Sequence, residues 1–220
     1  MRRQTLIFTL VFTFASIVLL IGSYSKLLPF TPTEDLAFIT GALCVWLTVK
    51  ENIWNWPIGI ANNIFFFVLF LEQKLWGDMT LQIMFAILGF LGWYMWLFGG
   101  RGHTKLQISR TPGYVVVILT IIGLGATTGG TYYFKSIEDS APLLDALITA
   151  MSLIAQFMLT KKYIENWIVW IVMDIISIGL YIHKGLYLTA ALYAIFIGMC
   201  FAGLKEWRET LAKQEEPVFA

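Results

Sequence analysis

Charged residues are scarce in this sequence. They make up 13% of the 220 residues, against 58% hydrophobic residues, and the formal net charge is only +1. An ordinary soluble domain carries about 25% charged residues, so this composition, with a mean hydropathy of +0.74, excludes one. We expect the chain to lie in a lipid bilayer and to have no nucleic-acid partner.

Residues and motifs that carry enzyme chemistry are also few. The sequence has no phosphate-binding loop, no Gly-rich dinucleotide fingerprint and no nucleophile elbow, so ATP hydrolysis is not encoded. Cys44 and Cys200 fall in apolar runs, where a small buried hydrophobe is the simplest role. His103 and His183 fall in loops on opposite sides and cannot share a metal ion. We therefore expect no enzyme activity, no cofactor and no metal site.

Long apolar runs dominate what is present. A helix needs about 20 residues to cross a hydrocarbon layer of ~30 Å. The runs are continuous rather than alternating, which favours helices over strands in lipid. They lie at 5–23, 35–50, 53–72, 78–98, 113–132, 142–160, 164–182 and 186–205. The sequence predicts an all-α integral membrane protein with about eight transmembrane helices.

Basic residues lie mainly on one side of the predicted membrane. With the N-terminus inside, 11 of the 15 Lys and Arg residues fall on the cytoplasmic side, as the positive-inside rule requires. Lys26, Lys74, Lys135 and Lys184 fall on the opposite side, beside seven acidic residues. Both termini are therefore predicted to be cytoplasmic. The run that follows Met1 is expected to remain as a helix, because no small-residue cleavage site follows it.

The segment 34–96 recurs as 145–207, in a single register and without a gap. The matched residues include polar and aromatic types, which apolar low complexity does not explain. They are Lys50 with Lys161, Asn55-Trp56 with Asn166-Trp167, Leu75-Trp76 with Leu186-Tyr187, Gly92 with Gly203, and Trp96 with Trp207. Gene duplication is the simplest cause, and two like membrane units around a central site are typical of secondary carriers.

Each copy holds three apolar runs, so two copies joined directly would have opposite orientations. The extra run at 113–132 returns the chain to its starting side, which makes the repeats parallel and places this linker helix at an edge or a subunit contact. The predicted units are an N-terminal helix and loop at 1–33, a first repeat at 34–98, a cytoplasmic loop and linker helix at 99–141, a second repeat at 142–208, and a cytoplasmic tail at 209–220 that is disordered around Gln214-Glu215-Glu216-Pro217.

Asp174 is the most informative polar residue within the helices. It lies eight residues beyond Asn166, which is about 12 Å at 1.5 Å per residue, and so falls near the bilayer middle. Trp167, Trp170 and Asp174 are spaced by three and four residues and share one helix face, which suits a flat cation. Asn63 is the repeat equivalent of Asp174 and is expected to face it across the axis.

The predicted substrate site collects polar and aromatic residues of the helices. Its candidates are Asn62, Asn63, Gln82, Trp93, Asn166, Trp167, Trp170, Asp174, Tyr181 and Tyr193. Simpler roles compete: Asn and Gln often only join membrane helices. Interfacial anchoring is as good an interpretation for the tryptophans near helix ends, which are Trp54, Trp56, Trp76, Trp96 and Trp207. Proton transfer and a purely structural bond remain open for Asp174.

The second repeat resembles a signature of the PnuC vitamin transporters. It reads Lys162-Tyr163-Ile164-Glu165-Asn166-Trp167, then Trp170 and Asp174. The first repeat is similar, with Asn55-x-x-x-Gly59-x-x-Asn62, Leu81-Gln82 and Gly92-Trp93-Tyr94-x-Trp96. The resemblance covers about residues 34–208. It implies a SWEET-like duplicated fold, commonly trimeric, in a bacterial inner membrane, and facilitated diffusion made one-way by a cytosolic kinase that phosphorylates the vitamin.

The family resemblance also implies the substrate class. Nicotinamide riboside is expected for the main branch, and thiamine, riboflavin or deoxynucleosides for others. We expect Trp167 and Trp170 to flank the pyridinium ring, and Gln82 and Asn62 to bind its amide or ribose. Some family members that carry nicotinamide riboside have Asn where Asp174 stands, so thiamine, another cationic ring, is the alternative. A vitamin-binding membrane subunit that does not transport is the alternative of a different class.

Overall fold

The computed structural model describes residues 2–27, 32–72, 76–183 and 187–216. Each of the eight predicted apolar runs corresponds to a helix in this part of the chain, which confirms the all-α fold. The helices are α1 Arg2–Tyr24, α2 Pro32–Val49, α3 Asn55–Glu72, α4 Trp76–Phe98, α5 Gly113–Ser136, α6 Pro142–Thr160, α7 Asn166–His183 and α8 Tyr187–Glu215. Lys74, Lys184 and the end of the predicted tail lie outside the described residues.

The last helix is longer than predicted. It continues from the expected end at residue 205 to Glu215, so the first seven residues of the predicted tail are helical. The segment contains good helix formers and no Gly or Pro, which permits the extension. Trp207 and Leu211 lie on one face and are 0% and 7% exposed. Their burial against the rest of the bundle stabilises the additional turns.

Membrane crossing follows from the length and composition of the helices. Five described segments are long and apolar enough to span, and they lie in α4, α5, α6, α7 and α8. Shorter apolar stretches occupy Phe12–Tyr24, Phe38–Val49 and Asn55–Leu71. The chain is therefore a multi-pass membrane protein.

Helix α5 lies at the edge of the described bundle. It packs on α6, and none of its residues is buried. Apart from α1, which packs on α2, the other neighbours occur in matching pairs: α3 packs on both α2 and α4, and α7 on both α6 and α8. Between the two groups, α4 packs on α6 and α8 packs on α2. This arrangement is what two like units related by a pseudo-two-fold axis would produce.

The loops that follow α2 and α6 have the same backbone conformation. Glu51 and Lys162 occupy equivalent positions of the two repeats, and both have positive φ, at 50° and 52°. The amide of Glu51 bonds to the carbonyl of Thr48, and the amide of Lys162 to that of Leu159, each at 3.0 Å. A left-handed residue with this bond is a common way to end a helix. Both helices therefore end in the same way and direct the chain into the next helix alike.

Candidate substrate site and the basic end of the bundle

Asp174 lies on α7 with its carboxyl buried. It is 3% exposed, and the thiol of Cys200 on α8 donates to its Oδ2 at 3.8 Å. Within the described part of the chain this thiol is the only hydrogen-bond donor to the carboxyl, and no Lys or Arg pairs with it. A thiol is a weak donor. The protein thus provides little of the stabilisation that a buried carboxylate needs.

Two tyrosines extend the surroundings of Asp174. The rings of Tyr181 on α7 and Tyr193 on α8 lie 5.2 Å apart and are tilted by 38°. Tyr193 also lies close enough to Asp174 and Tyr181 to interact electrostatically with both. Three of the residues predicted from sequence therefore form one cluster between α7 and α8, with Cys200 as a member that the sequence did not reveal.

The amide residues of the first repeat have different environments. Asn62 on α3 donates from Nδ2 to the hydroxyl of Thr40 on α2 at 2.9 Å, so it joins two helices. Asn63 and Gln82 are half-buried and make no hydrogen bond within the described residues. Asn63 and Gln82 therefore remain the amides that can bind a ligand without losing an existing bond. The predicted approach of Asn63 to Asp174 stays a prediction.

The start of α7 is more deeply buried than a substrate-facing position requires. Asn166 is 0% exposed and donates from Nδ2 to the carbonyl of Tyr163 at 2.6 Å. Trp167 is 2% exposed and packs against Gly203 on α8. Trp170 is half-buried and packs against the buried apolar cluster that contains Trp167. In this state Trp170 remains partly accessible and Trp167 does not.

Four tryptophans form a cluster at the end of the bundle that contains the loops 50–54, 99–112 and 161–165, here called the basic end. Trp56 meets Trp96 edge to face at 5.3 Å and 89°, and Trp167 meets Trp207 at 5.4 Å and 86°. Trp96 and Trp207 join the two pairs at 6.0 Å. All four are at most 3% exposed. This burial excludes interfacial anchoring for Trp56, Trp96 and Trp207.

The two repeats exchange indole hydrogen bonds at this end. Trp96 on α4 donates from Nε1 to the carbonyl of Leu159 on α6 at 3.0 Å. Trp207 on α8 donates from Nε1 to the carbonyl of Thr48 on α2 at 3.2 Å. The two donors are repeat equivalents, and so are the two acceptors. Each bond crosses from one repeat to the other, so the pair ties the repeats together.

Ion pairs reinforce the same end. Lys162 pairs with Glu51 at 3.0 Å, and Lys50 pairs with Glu206 at 2.6 Å. The ammonium group of Lys162 also lies 4.4 Å from the ring centre of Trp96. Lys50 and Lys162 belong to the basic residues predicted on the cytoplasmic side, and these contacts show that they also link the repeats.

A family model described as "Nicotinamide mononucleotide transporter" matches residues 31–209 of this chain. The chain belongs to this family. Its curated relatives confirm the resemblance to PnuC: "Nicotinamide riboside transporter PnuC" from Escherichia coli K12 is 24% identical over 200 residues, covering 79% of this chain and 84% of that protein. The PnuC family consists of transporters, so an enzyme is excluded.

Other curated relatives of this chain differ in the vitamin that they are named for. "Nicotinamide riboside transporter PnuC" from Haemophilus influenzae is 29% identical over 188 residues, covering 76% of this chain and 80% of the relative. "Riboflavin/roseoflavin transporter RibM" from Streptomyces davaonensis is 20% identical over 188 residues, covering 82% and 86%. Membership of the family therefore does not by itself decide the substrate.

A solved structure shares the fold. "Crystal structure of the Vitamin B3 transporter PnuC" superposes with a TM-score of 0.72 at 21% sequence identity, covering 94% of this chain and 91% of that chain. The likeness extends over nearly all of both chains. It confirms the all-α architecture.

The PnuC-like signature also contains a structural residue. Glu165, just before α7, accepts bonds at Oε2 from the amide of Thr111 at 2.8 Å and from its hydroxyl at 2.6 Å. Nearby, Ser109 exchanges two backbone bonds with Lys162 and Ile164. The loop before α5 is thereby fixed to the start of α7. The signature residues Lys162 and Glu165 thus hold the basic end together rather than lining the cluster around Asp174.

Proposed function

We propose that this chain is a vitamin uptake carrier that moves nicotinamide riboside across the membrane by facilitated diffusion. The observation that carries the proposal is the buried carboxyl of Asp174, which has only a thiol as its described hydrogen-bond partner. A buried charge is strongly unfavourable without a partner of opposite charge. A substrate with a permanent positive charge supplies that partner when it binds.

Nicotinamide riboside matches the residue types of the predicted substrate site. Its pyridinium ring is flat and cationic, and aromatic rings such as those of Trp170 and Tyr193 attract cations. Its amide and ribose offer donors and acceptors for Asn63 and Gln82, which have no hydrogen bond of their own in the described chain. The curated relatives that are named for nicotinamide riboside favour the same substrate.

We propose alternating access as the mechanism. Substrate would bind between the repeats near Asp174, and the two repeats would rock about the pseudo-two-fold axis to expose it to one side and then the other. The matched loops and the crossed indole bonds support a transporter built from two symmetric repeats. In the state described here the repeats are tied together at the basic end, so release would require those bonds to open.

We also propose an orientation, a trapping step and an oligomeric state for the carrier in the cell. The basic end would face the cytoplasm of a bacterium, with both termini inside, because the positive-inside rule places clustered Lys and Arg there. A cytosolic kinase would trap the vitamin by phosphorylation, and the carrier would assemble as a homotrimer, as the family resemblance implies. Thiamine is the second candidate substrate, because its cationic ring would satisfy Asp174 in the same way.

Calorimetric titration of the detergent-purified protein with nicotinamide riboside and, separately, with thiamine tests the substrate. Saturable heat with nicotinamide riboside alone supports the proposal, whereas heat with thiamine alone assigns a thiamine carrier. Heat with neither compound would contradict a site that binds cations at Asp174.

Counterflow in liposomes distinguishes a carrier from a binding subunit. Vesicles loaded with unlabelled vitamin should accumulate labelled vitamin transiently if the protein transports by itself. Binding in detergent without counterflow would favour the subunit that captures a vitamin and does not move it. A pH gradient imposed across the vesicles should leave the rate unchanged, because acceleration would instead indicate proton transfer through Asp174.

A further inference from the structure

A cavity of about 320 Å³ opens at the basic end, between the start of α7, the last turns of α8 and the loop before α5. Its volume lies within the range of ligand sites, about 300–1,000 Å³. Four charged residues line it, and they are Arg110, Arg208, Glu165 and Glu215. None of them belongs to the predicted substrate site, so this cavity calls for an occupant of its own.

The four charges of the cavity do not neutralise one another. Within the described residues, neither arginine forms an ion pair, and neither does either glutamate. Glu165 is half-buried and accepts both bonds from Thr111 at Oε2, which leaves Oε1 without a bond in that part of the chain. Opposite charges that line one cavity without meeting can be bridged by a ligand that carries both signs.

The α8 side of the cavity is one continuous helix face. Leu204, Arg208, Leu211 and Glu215 are spaced by four, three and four residues, so they follow one another along that face. The predicted apolar run of α8 ends at residue 205, which places Leu204 within the hydrophobic layer and Arg208 about one turn outside it. The face therefore changes from apolar to charged at the surface of the bilayer.

The α7 side changes in the same way. Ile168 is 44% exposed and lies near the beginning of the apolar segment Asn166–His183, and Glu165 directly precedes that segment. Ile168 and Leu204 line the same cavity as the charged residues. A soluble ion would make no use of this apolar part, whereas a lipid contacts it with an acyl chain and the charges with its headgroup.

We propose that this cavity binds a zwitterionic phospholipid with a primary amine, such as phosphatidylethanolamine. The two arginines bind the phosphate, the two carboxylates accept hydrogen bonds from the ammonium group, and an acyl chain lies against Ile168 and Leu204. Basic pockets between membrane helices are known places for lipid headgroups. The carboxylates disfavour an anionic headgroup, because it brings no positive charge for them.

Native mass spectrometry of the delipidated protein, titrated with one lipid at a time and without vitamin, tests the site. Phosphatidylglycerol is anionic, and the quaternary ammonium of phosphatidylcholine has no hydrogen to donate. We expect phosphatidylethanolamine to bind roughly 3- to 10-fold more tightly than either, since the site is partly exposed. Arg208→Gln should weaken its binding by a similar factor. Arg101→Gln alters an exposed arginine outside the cavity and should leave binding unchanged.

Glu215→Gln tests the preference between headgroups. It removes one carboxylate from the exposed end of α8, so it should fold as the native chain does. We expect the preference for phosphatidylethanolamine over phosphatidylglycerol to narrow, which a loss of packing alone would not produce. This variant decides the proposal if Arg208→Gln does not fold.

Several outcomes overturn the lipid site. Equal binding of the three lipids, tightest binding of phosphatidylglycerol, or equal weakening in Arg101→Gln and Arg208→Gln would each do so. Displacement of the lipid by an equal concentration of soluble glycerophosphoethanolamine would also do so, because the site would then take a free phosphate ester. No vitamin is present in these titrations, so the lipid site can fail while the proposed transport of nicotinamide riboside stands, and the converse also holds.

Discussion

At the scale of single residues, Asp174 combines a charged group with an environment that stabilises it poorly. Its depth in the membrane follows from sequence, because a count from the start of the helix places it about 12 Å inside. Its weak partner does not follow, since Cys200 lies on another helix and an isolated cysteine in an apolar run carries no signal of a hydrogen bond. The residue type was predictable and its partner was not.

Replacing Asp174 with Asn tests whether its charge selects the substrate. Asn keeps the size and removes the negative charge, so we expect the Kd for nicotinamide riboside to rise about 10- to 100-fold, as loss of one charge-assisted contact of ~1.5–3 kcal/mol implies. Titration calorimetry measures the change. Asp139→Asn is the control, because Asp139 accepts a bond from the amide of Ala141 in a loop outside the helices. Unchanged affinity in Asp174→Asn, with lower thermal stability, would assign the carboxyl a structural role.

At the scale of helices and loops, the sequence predicted which helices form better than it predicted where they end. Uninterrupted apolar runs predicted all eight helices, because lipid permits little else. The predicted end of α8 was wrong by ten residues. Hydropathy falls after residue 205, but the side chains of Trp207 and Leu211 beyond it are still buried. The tryptophan cluster was also missed. Tryptophans near helix ends look alike in sequence whether they face lipid headgroups, as exposed Trp54 can, or a neighbouring repeat.

Two equivalent glycines make the tryptophan packing possible. A methyl group on Gly203 would lie 2.5 Å from the indole of Trp167, and one on Gly92 would clash with the indole of Trp56. We expect Gly203→Ala to lower the free energy of unfolding by about 1–3 kcal/mol, because the indole must move in a packed core. A thermal-unfolding assay in detergent measures it.

Gly198 on the same helix provides the matched control for this prediction. Nothing lies within 4 Å of a methyl group placed there. Gly198→Ala should therefore leave stability unchanged or raise it by up to ~1 kcal/mol through helix propensity. Equal losses of stability in both variants would show that the glycines serve helix flexibility rather than contact with the indole ring.

At the scale of the whole molecule, the links between the repeats concentrate at one end. Both described ion pairs and both crossed indole bonds lie there. The constant register of the matched residues predicts the duplication, and counting helices predicts that the repeats are parallel. The ion pair between Lys50 and Glu206 was not visible, because the two residues are 156 positions apart and are not repeat equivalents. Only the folded arrangement brings them together.

The ion pair between Lys50 and Glu206 should bias the carrier towards closure at the basic end. Glu206→Lys places two positive charges where a pair at 2.6 Å now lies. The pair is partly exposed, so we expect a modest fall in the closed population, roughly 2- to 10-fold. Counterflow should slow, because a carrier that favours one state returns less often, and hydrogen–deuterium exchange of the segment 46–56 should accelerate.

The charge-swapped variant Lys50→Glu/Glu206→Lys separates charge pairing from other effects. It restores opposite charges in reverse order, so counterflow and exchange should recover most of the native values, apart from the contact of Lys50 with the ring of Trp46 at 4.9 Å. Glu209→Lys changes an exposed carboxylate on the same helix and should have little effect. If the swap is as slow as the single variant, the two side chains act through something other than mutual attraction. If Glu209→Lys slows transport equally, the net charge of this end is responsible rather than a specific pair.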